Sequence, residues 1–321
     1  MANDEIEISF SDALVNLFSD KHVPIHLLYK LSDMSEDEMR EFEAVWPSCE
    51  TERRREIIRH LVDITEDDFI VNFQPVFAYC MSDPNPDVRV ASLDGLWDTT
   101  DLALIGPIIN VLENDIAPEA QAAAAGTLAH FLLMSAWGEI RGVQTDVIIE
   151  ALIAAYRNPE SPLILRRVAL EALGSVNSPE IDELIENSYE SSQRELQLSA
   201  LFAMGNSADS KWLPIVLDEM ESPYEEMRQE AARAAGNIGD IEAVSMLAEL
   251  AYDESEEVAQ AVIEALGEIG GDQVQEILTA MSEDIELDNL ESLIFLALEE
   301  ASWNTKDLQF GMFGDFLDEE E

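Results

Sequence analysis

The sequence predicts an all-α protein, an α-α superhelix (α-solenoid) of stacked antiparallel helical hairpins. A glycine that follows two small or apolar residues recurs at one constant interval, at Gly174, Gly205, Gly236 and Gly267. Each 31-residue unit contains two helical patterns and no alternating strand pattern. Because neither helix can bury its apolar face alone, each hairpin must stack on the next one.

The unit around residues 211–240 shows this pattern most fully. Its first helix has an apolar face at helical spacing, made by Trp212, Ile215, Val216 and Met220. Ser222-Pro223 then breaks the chain, and a second helix is expected from about Tyr224 to Asn237. Small side chains on the second helix allow a neighbouring helix to approach closely; they are Ala231, Ala232, Ala234 and Ala235. The segment from Gly236 to Asp240 is expected to turn the chain back.

Steps of 31 residues from Arg228 locate the other units. The equivalent positions are Gln197 and Arg166 before it, and Ala259 and Leu290 after it. Before Arg166 the register slips by about half a repeat, which we assign to a long helix within residues 117–142. The 31-residue spacing, which we call the repeat frame, then resumes at Ala120 and Arg89. The prediction is a repeat solenoid of about seven hairpins over residues 69–303.

Residues 1–68 are expected to form an irregular helical N-terminal cap of four or five helices, since terminal units of solenoids are often atypical. Two of these helices are predicted to begin at capping boxes, Ser35 with Glu38 and Thr65 with Asp68.

Residues 304–321 form an acidic and aromatic C-terminal tail, in which glycines separate Phe310, Phe313 and Phe316. Two glycines disfavour a stable helix in this tail. Two interpretations stay open: the tail covers the last hairpin, or it is a short linear motif whose aromatic side chains dock elsewhere.

The charge of the chain is extreme. The 68 acidic residues outnumber the 17 basic ones, giving a formal net charge of −51, while 47% of residues are hydrophobic and can form a sizeable core. Such a field repels nucleic acids and anionic membranes and attracts basic partners. The acidity is either a solvated coat, adapted to solubility or high salt, or a field directed at a partner.

The sequence favours a cytoplasmic location. Cys49 and Cys80, the two cysteines, lie in helical patterns and are expected to be reduced and mostly buried. The first residues are acidic where a signal peptide needs a basic start. No stretch approaches 18 uncharged apolar residues, so no membrane span is predicted.

Three segments carry a family resemblance: Val88-Arg89 after DPNPD, MRQEAARAAGNIGD at 227–240 and EVAQAVIEALGEIGGD at 257–272. They resemble second helices of HEAT repeats. The short period and the Ala-Leu-Gly-x-Ile-Gly ending are similar to the bacterial HEAT-like class named after phycobilisome bilin lyases. The resemblance implies a HEAT/armadillo-like superhelix whose second helices line the concave side. HEAT proteins are mostly scaffolds, with lyase subunits and DNA-repair relatives as exceptions.

No motif specifies catalysis, a metal or a cofactor, so we predict a protein that is not an enzyme. Pro24 lies between His22 and His26, which places this pair at the entry to a helix and not on one helical face. Gly267, Gly270 and Gly271 follow a helix and not a strand, so helix termination explains them better than a nucleotide-binding loop.

Two sets of arginines have structural interpretations. Residues 50–60 hold four arginines within seven residues; they either form an anion-binding or docking patch, or pair with Glu36, Glu38, Glu41 and Glu43 of the preceding helix. We favour the pairing. Arg89, Arg166 and Arg228 share one frame position, and we assign them to a polar ladder between repeats.

Two rows of residues on the second helices are predicted to face the concave groove. The first row lies five residues after the arginine position: Asp94, Ala125, Glu171, Phe202, Arg233, Glu264 and Phe295. The second lies one residue after the glycine position: Asp98, Ala129, Ser175, Asn206, Asn237, Glu268 and Glu299. The expected groove is therefore acidic, with two aromatic interruptions.

These observations predict a non-catalytic protein-interaction scaffold or adaptor that binds a basic protein, with no direct contact to nucleic acid or membrane. A monomer is the default oligomeric state. Two alternatives stay open. One is a subunit of a bilin lyase-like modifying enzyme. The other is an acidic nucleic-acid mimic that binds a basic nucleic-acid-binding protein.

Overall fold

The computed structural model describes the backbone of residues 8–19, 21–68, 70–140 and 142–314, and the side chains of these residues as far as Trp303. In these ranges all regular structure is helical, as predicted. The chain divides into two compact units, residues 1–172 and 173–321.

The first unit contains ten helices within the described ranges. They are α1 (Phe10–Ser19), α2 (Ile25–Leu28), α3 (Glu36–Val45), α4 (Thr51–Asp67), α5 (Gln74–Cys80), α6 (Pro86–Asp94), α7 (Ile105–Asn114), α8 (Pro118–Ala136), α9 (Val143–Arg157) and α10 (Leu163–Leu173), whose last residue begins the second unit. The 19-residue α8 is the long helix that the register slip predicted.

The second unit continues the alternation of first and second helices. It contains α11 (Pro179–Tyr189), α12 (Arg194–Asn206), α13 (Leu213–Met220), α14 (Glu225–Ile238), α15 (Val244–Leu250), α16 (Glu256–Ile269), α17 (Asp272–Ser282) and α18 (Glu291–Gly314). From α5 to α18 the described residues form seven successive helix pairs.

The N-terminal helices confirm one predicted capping box and contradict the other. Ser35 accepts from the backbone N–H of Glu38, and the Glu38 carboxylate accepts from the backbone N–H of Ser35. The Thr65 prediction is wrong, because Thr65 lies inside α4. Its hydroxyl donates to the Leu61 carbonyl one turn earlier, so it does not begin a helix.

The repeated glycine is a packing residue. In the second unit, consecutive second helices lie side by side, and each glycine faces an alanine of the next helix. A methyl group added at Gly205 would lie 2.7 Å from the Ala234 Cα, and one at Gly236 would lie 2.8 Å from the Ala265 Cα. Such distances leave no room for a side chain, so the constant interval between the glycines records a helix contact.

This packing corrects the predicted roles of two glycines. Gly236 lies inside α14, and the returning turn begins at Gly239, which adopts a left-handed conformation with φ of 71°. Gly267 lies inside α16, facing Ala297, whereas Gly270 and Gly271 end that helix as expected.

A ladder of arginine–aspartate pairs connects successive hairpins within each unit. Arg89 forms two hydrogen bonds to the Asp115 carboxylate, at 2.6 and 2.7 Å, and donates to the Asp83 carbonyl. Arg228 repeats this arrangement with Asp253 and the Ser222 carbonyl. The ladder between repeats that was predicted is confirmed for Arg89 and Arg228.

Arg166 and Gln197 occupy the same frame position but have different partners. Arg166 donates to the Tyr156 carbonyl and stacks over the Tyr156 ring, and Gln197 donates to the Tyr189 carbonyl. Both therefore connect the two helices of their own hairpin, so the ladder between repeats that was predicted for Arg166 is wrong.

The arginines of residues 50–60 have other partners than predicted. Arg54 is buried and lies 3.2 Å from Asp83, measured from Nε to Oδ2, which makes this pair a further rung of the ladder. Arg55 pairs with Glu52 and Asp87, and Arg53 with Glu56. For Arg54 and Arg55 the predicted pairing with the preceding helix is wrong, because α4 packs against α6 and directs these two side chains to the turn and helix that follow.

The C-terminal tail contains more helix than expected. Helix α18 begins at Glu291 and continues to Gly314, because a helix that is already packed on α16 and α17 can extend through two glycines at about 1 kcal/mol each. The side chains of Phe310, Phe313 and Phe316 lie outside the described residues, and the boundary at residue 304 stays a prediction.

Candidate protein-binding surfaces

The structure places the predicted groove residues on second helices, except Asp98 and Ser175, which lie in turns. Ala125 is buried in α8, so the prediction that it faces the groove is wrong. In the first unit Asp94 is the last residue of α6, and Asp98 lies in the turn that follows. Both are exposed. Glu171 on α10 is half-buried and lies 3.7 Å from Arg167 of the same helix.

In the second unit the predicted row faces solvent. Phe202 on α12 is 42% exposed, Phe295 on α18 is 52% exposed, and Arg233 and Glu264 between them are exposed. Because α12, α14, α16 and α18 pack side by side, these side chains lie on one face of the unit. We call it the second-helix face of the second unit.

Carboxylates crowd one end of this face. The Glu268 carboxylate lies against Gly236, and that of Glu300 lies against Gly267. Burial raises the pKa of Glu268, and the charges of Glu300 and Glu264 raise it further. A cationic group in this region would therefore stabilise the ionised form of Glu268.

The last repeat is one residue longer than the 31-residue interval. The sequence prediction therefore missed two residues of this face. Gly236 faces Ala265, whereas Gly267 faces Ala297, one residue further on than the constant interval predicts. Leu296, which is 62% exposed, and Glu300 thus occupy the positions equivalent to Glu264 and Glu268.

Phe295 and Glu299, the residues that the frame predicted, each lie one residue before these positions. The apolar spacing gives the signal for the shift. The buried residues Val258, Val262 and Ala265 recur one residue later than the frame predicts, as Leu290, Ile294 and Ala297.

The first unit has a hollow of about 390 Å³ on its second helices α4, α6 and α8, which we call the acidic hollow. Its lining residues are Arg59, Val62, Asp63, Asp87, Val90, Ala91, Asp94 and Glu119. Four carboxylates thus surround three aliphatic side chains, with one arginine among them. Although Asp94 is exposed to solvent, partial desolvation of its carboxyl group in the hollow raises its pKa.

Sequence reasoning found Asp94 of this hollow and missed Arg59 and its neighbours on α4. Residues 1–68 were interpreted as an irregular cap, so α4 was not aligned with the repeats. Arg54 shows how α4 aligns with the repeats, because it occupies the ladder position in α4 that Arg89 occupies in α6. Arg59 lies five residues after Arg54, as Asp94 lies five residues after Arg89.

The two cysteines do not form a reactive site. Both are buried and neither is in a disulfide bond, as predicted. Burial raises the pKa of Cys49 to about 11 despite the charges of Arg54 and Arg53. Its thiol is therefore protonated and weakly nucleophilic at neutral pH.

Comparison with known proteins agrees with this architecture. Residues 213–299 match the sequence model of the HEAT repeats family. No curated protein sequence matches the chain. None of the described helices is both long enough and apolar enough to cross a membrane.

The chain is also similar to three solved structures. Escherichia coli YibA shares 17% identity over 88% of this chain and 98% of its own, with a TM-score of 0.45. Human deoxyhypusine hydroxylase shares 15% identity over 83% of this chain and 96% of its own, with a TM-score of 0.36. Kap95p, in a structure with RanGDP, shares 11% identity over 91% of this chain and 45% of its own, with a TM-score of 0.49.

The described helices define the class as an all-α protein of repeated helical hairpins. The family match identifies residues 213–299, which run from α13 into α18, as HEAT repeats.

Proposed function

We propose that this protein is a non-catalytic interaction scaffold that binds a basic protein through its second-helix faces. The observation that carries the proposal is the acidic hollow of the first unit, with its aliphatic floor and four carboxylates. Repeat solenoids use such extended concave surfaces for binding.

The acidic hollow has the chemistry to accept a lysine or arginine side chain. The aliphatic stem of such a side chain would lie against Val62, Val90 and Ala91, and its charged end would reach carboxylates at the rim. Asp87 already pairs with Arg55. Asp63 lies 3.6 Å from the His60 imidazole of the same helix, which is charged only when protonated. We assign Asp63, Asp94 and Glu119 to the partner.

The second-helix face of the second unit has a related composition. It combines Glu264, Glu268 and Glu300 with exposed Phe202, Phe295 and Leu296. Aromatic and aliphatic side chains of this kind provide much of the residence time of a complex, whereas charge mainly accelerates the encounter. The net charge of −51 supports fast association with a basic partner and opposes direct binding to nucleic acid. The cytoplasmic location and the monomeric state stay predictions.

Neutralising the acidic hollow is expected to slow association with the partner roughly 3- to 10-fold and to reduce the salt dependence of the rate. The variant combines Asp63→Asn, Asp94→Asn and Glu119→Gln. The measurement is association kinetics with the basic protein that wild type retains from native lysate at low salt. The matched control combines Glu150→Gln, Glu183→Gln and Glu186→Gln, three exposed first-helix carboxylates with the same total charge.

Equal slowing by both variants would show that only net charge matters and would contradict a site in the hollow. If added DNA displaces the partner, the acidic nucleic-acid mimic becomes the better description.

A further inference from the structure

The first unit has two adjacent hollows on the edge formed by the turns between first and second helices, which we call the turn edge. The first, of about 450 Å³, lies between the turn after α3 and the turn after α5. The second, of about 330 Å³, lies between the turn after α5 and the turn after α7. Ser82 and Asp83 line both hollows.

The first hollow has largely apolar walls, whereas the second combines three apolar residues with six polar ones: Ser82, Asp83, Arg89, Asn110, Asn114 and Asp115. Trp46, Pro47, Tyr79 and Pro84 line the first hollow. Met81, Val111 and Ile116 line the second. Ile116 is 95% exposed, although it lies at the rim of a hollow into which an apolar partner would fit.

The charged groups at the base of each hollow are already paired. Arg54 and Asp83 form the rung beneath the first hollow, and Arg89 and Asp115 form the rung beneath the second, with side chains no more than 10% exposed. Trp46 Nε1 also donates to Asp83, at 2.9 Å. The base therefore offers no unpaired cation for an anionic ligand.

We propose that the turn edge binds an extended, basic segment of a partner protein whose apolar side chains are three residues apart. Packed helices lie about 8–10 Å apart, which sets the spacing of hollows between successive hairpins. A polyproline II segment advances about 9 Å per three-residue turn, so its side chains at positions i and i+3 match this spacing. Grooves lined by aromatic side chains and prolines suit such segments.

The sign of the partner's charge follows from the surroundings of the hollows. Arg54 and Arg89 are the cations among the lining residues, and both are paired with carboxylates. Glu43 on α3 and Glu113 on α7 are exposed on the helices that carry the walls. Flanking lysines on the segment would complement these carboxylates. This inference does not depend on the acidic hollow.

The test uses the full chain and two labelled peptides of identical composition. In Lys-Lys-Leu-Pro-Pro-Leu-Lys-Lys the leucines are three apart, and in Lys-Lys-Leu-Leu-Pro-Pro-Lys-Lys they are adjacent. Fluorescence anisotropy is expected to give about tenfold weaker binding for the second peptide, because only one leucine can be buried. Equal binding, or no binding of the first peptide, would overturn the proposal.

Two variants locate the site. Ser82→Trp places a large side chain in both hollows and is expected to weaken binding of the first peptide at least about tenfold. Ser192→Trp, at an exposed serine of the second unit, is the control. Ile116→Asp removes one apolar contact without filling the site, and Ile70→Asp, at an isoleucine that is 90% exposed, is its control. Binding that survives both Ser82→Trp and Ile116→Asp would also overturn the proposal.

Discussion

Replacing Asp115 with alanine is expected to lower the free energy of unfolding by about 3–5 kcal/mol, because the buried Arg89 guanidinium loses its carboxylate partner. Both side chains are at most 10% exposed. Asp115 also accepts from the backbone N–H of Ala117, so the variant loses a turn hydrogen bond as well. Chemical denaturation measures the change.

The control for this turn is Asp101→Ala. Asp101 accepts from the Ala103 N–H in a similar turn, at an exposed position. Its loss is expected to cost only about 0.5–2 kcal/mol. A cost for Asp115→Ala within that range would contradict a stabilising role for the ladder.

The ion pair between Arg89 and Asp115 predicts part of the acid sensitivity of the protein. Burial alone would raise the pKa of Asp115, but the hydrogen bonds from Arg89 and from the Ala117 N–H, together with the Arg89 charge, hold it below its usual value of 3.8. A carboxyl group whose pKa is lowered by folding stabilises the protein above the unfolded pKa. That contribution is lost as the pH falls through the folded pKa. The stability of Asp115→Ala should therefore decline less with acid below about pH 4 than that of wild type.

Replacing Gly205 with alanine is expected to destabilise the protein by about 1–3 kcal/mol, although alanine is the better helix former. The added methyl group would lie 2.7 Å from the Ala234 Cα, so two helix backbones must move apart. Thermal or chemical denaturation measures the change.

Gly126→Ala is the matched control for the glycine prediction. Gly126 lies inside α8, is exposed, and an added methyl group there would approach only Val168, at an ordinary 3.8 Å. Relief of the helical cost of glycine is expected to stabilise this variant by about 0.5–1 kcal/mol. The opposite signs expected for the stability changes of Gly205→Ala and Gly126→Ala distinguish the effect of helix packing from that of helix propensity. A stabilising Gly205→Ala would contradict the close helix contact.

The sequence predicted the helical fold and the order of the hairpins because their cause is local and periodic. The recurrence of Gly205 and Gly236 reflects one backbone contact, and the recurrence of Arg89 and Arg228 reflects one ion pair. Both leave a residue type at a fixed spacing, which a single sequence can show.

Features without a fixed spacing could not be predicted in the same way. The ladder residue of α4, Arg54, lies further from Arg89 than one repeat interval, so a step of that interval does not find it. The last hairpin is one residue longer than the frame, which moved the predicted face from Leu296 to Phe295. The acidic hollow depends on how α4, α6 and α8 pack, and no spacing in the sequence encodes its volume.

Carboxylate footprinting in the complex shows whether a second-helix face binds the basic partner. Carbodiimide labelling of each carboxylate is compared with and without the captured protein, and mass spectrometry locates the sites. We expect reduced labelling at Asp63, Asp94 and Glu119, with unchanged labelling at the first-helix residues Glu150, Glu183 and Glu186. Protection of the first-helix carboxylates, with Asp63, Asp94 and Glu119 labelled as in the unbound protein, would contradict binding through a second-helix face.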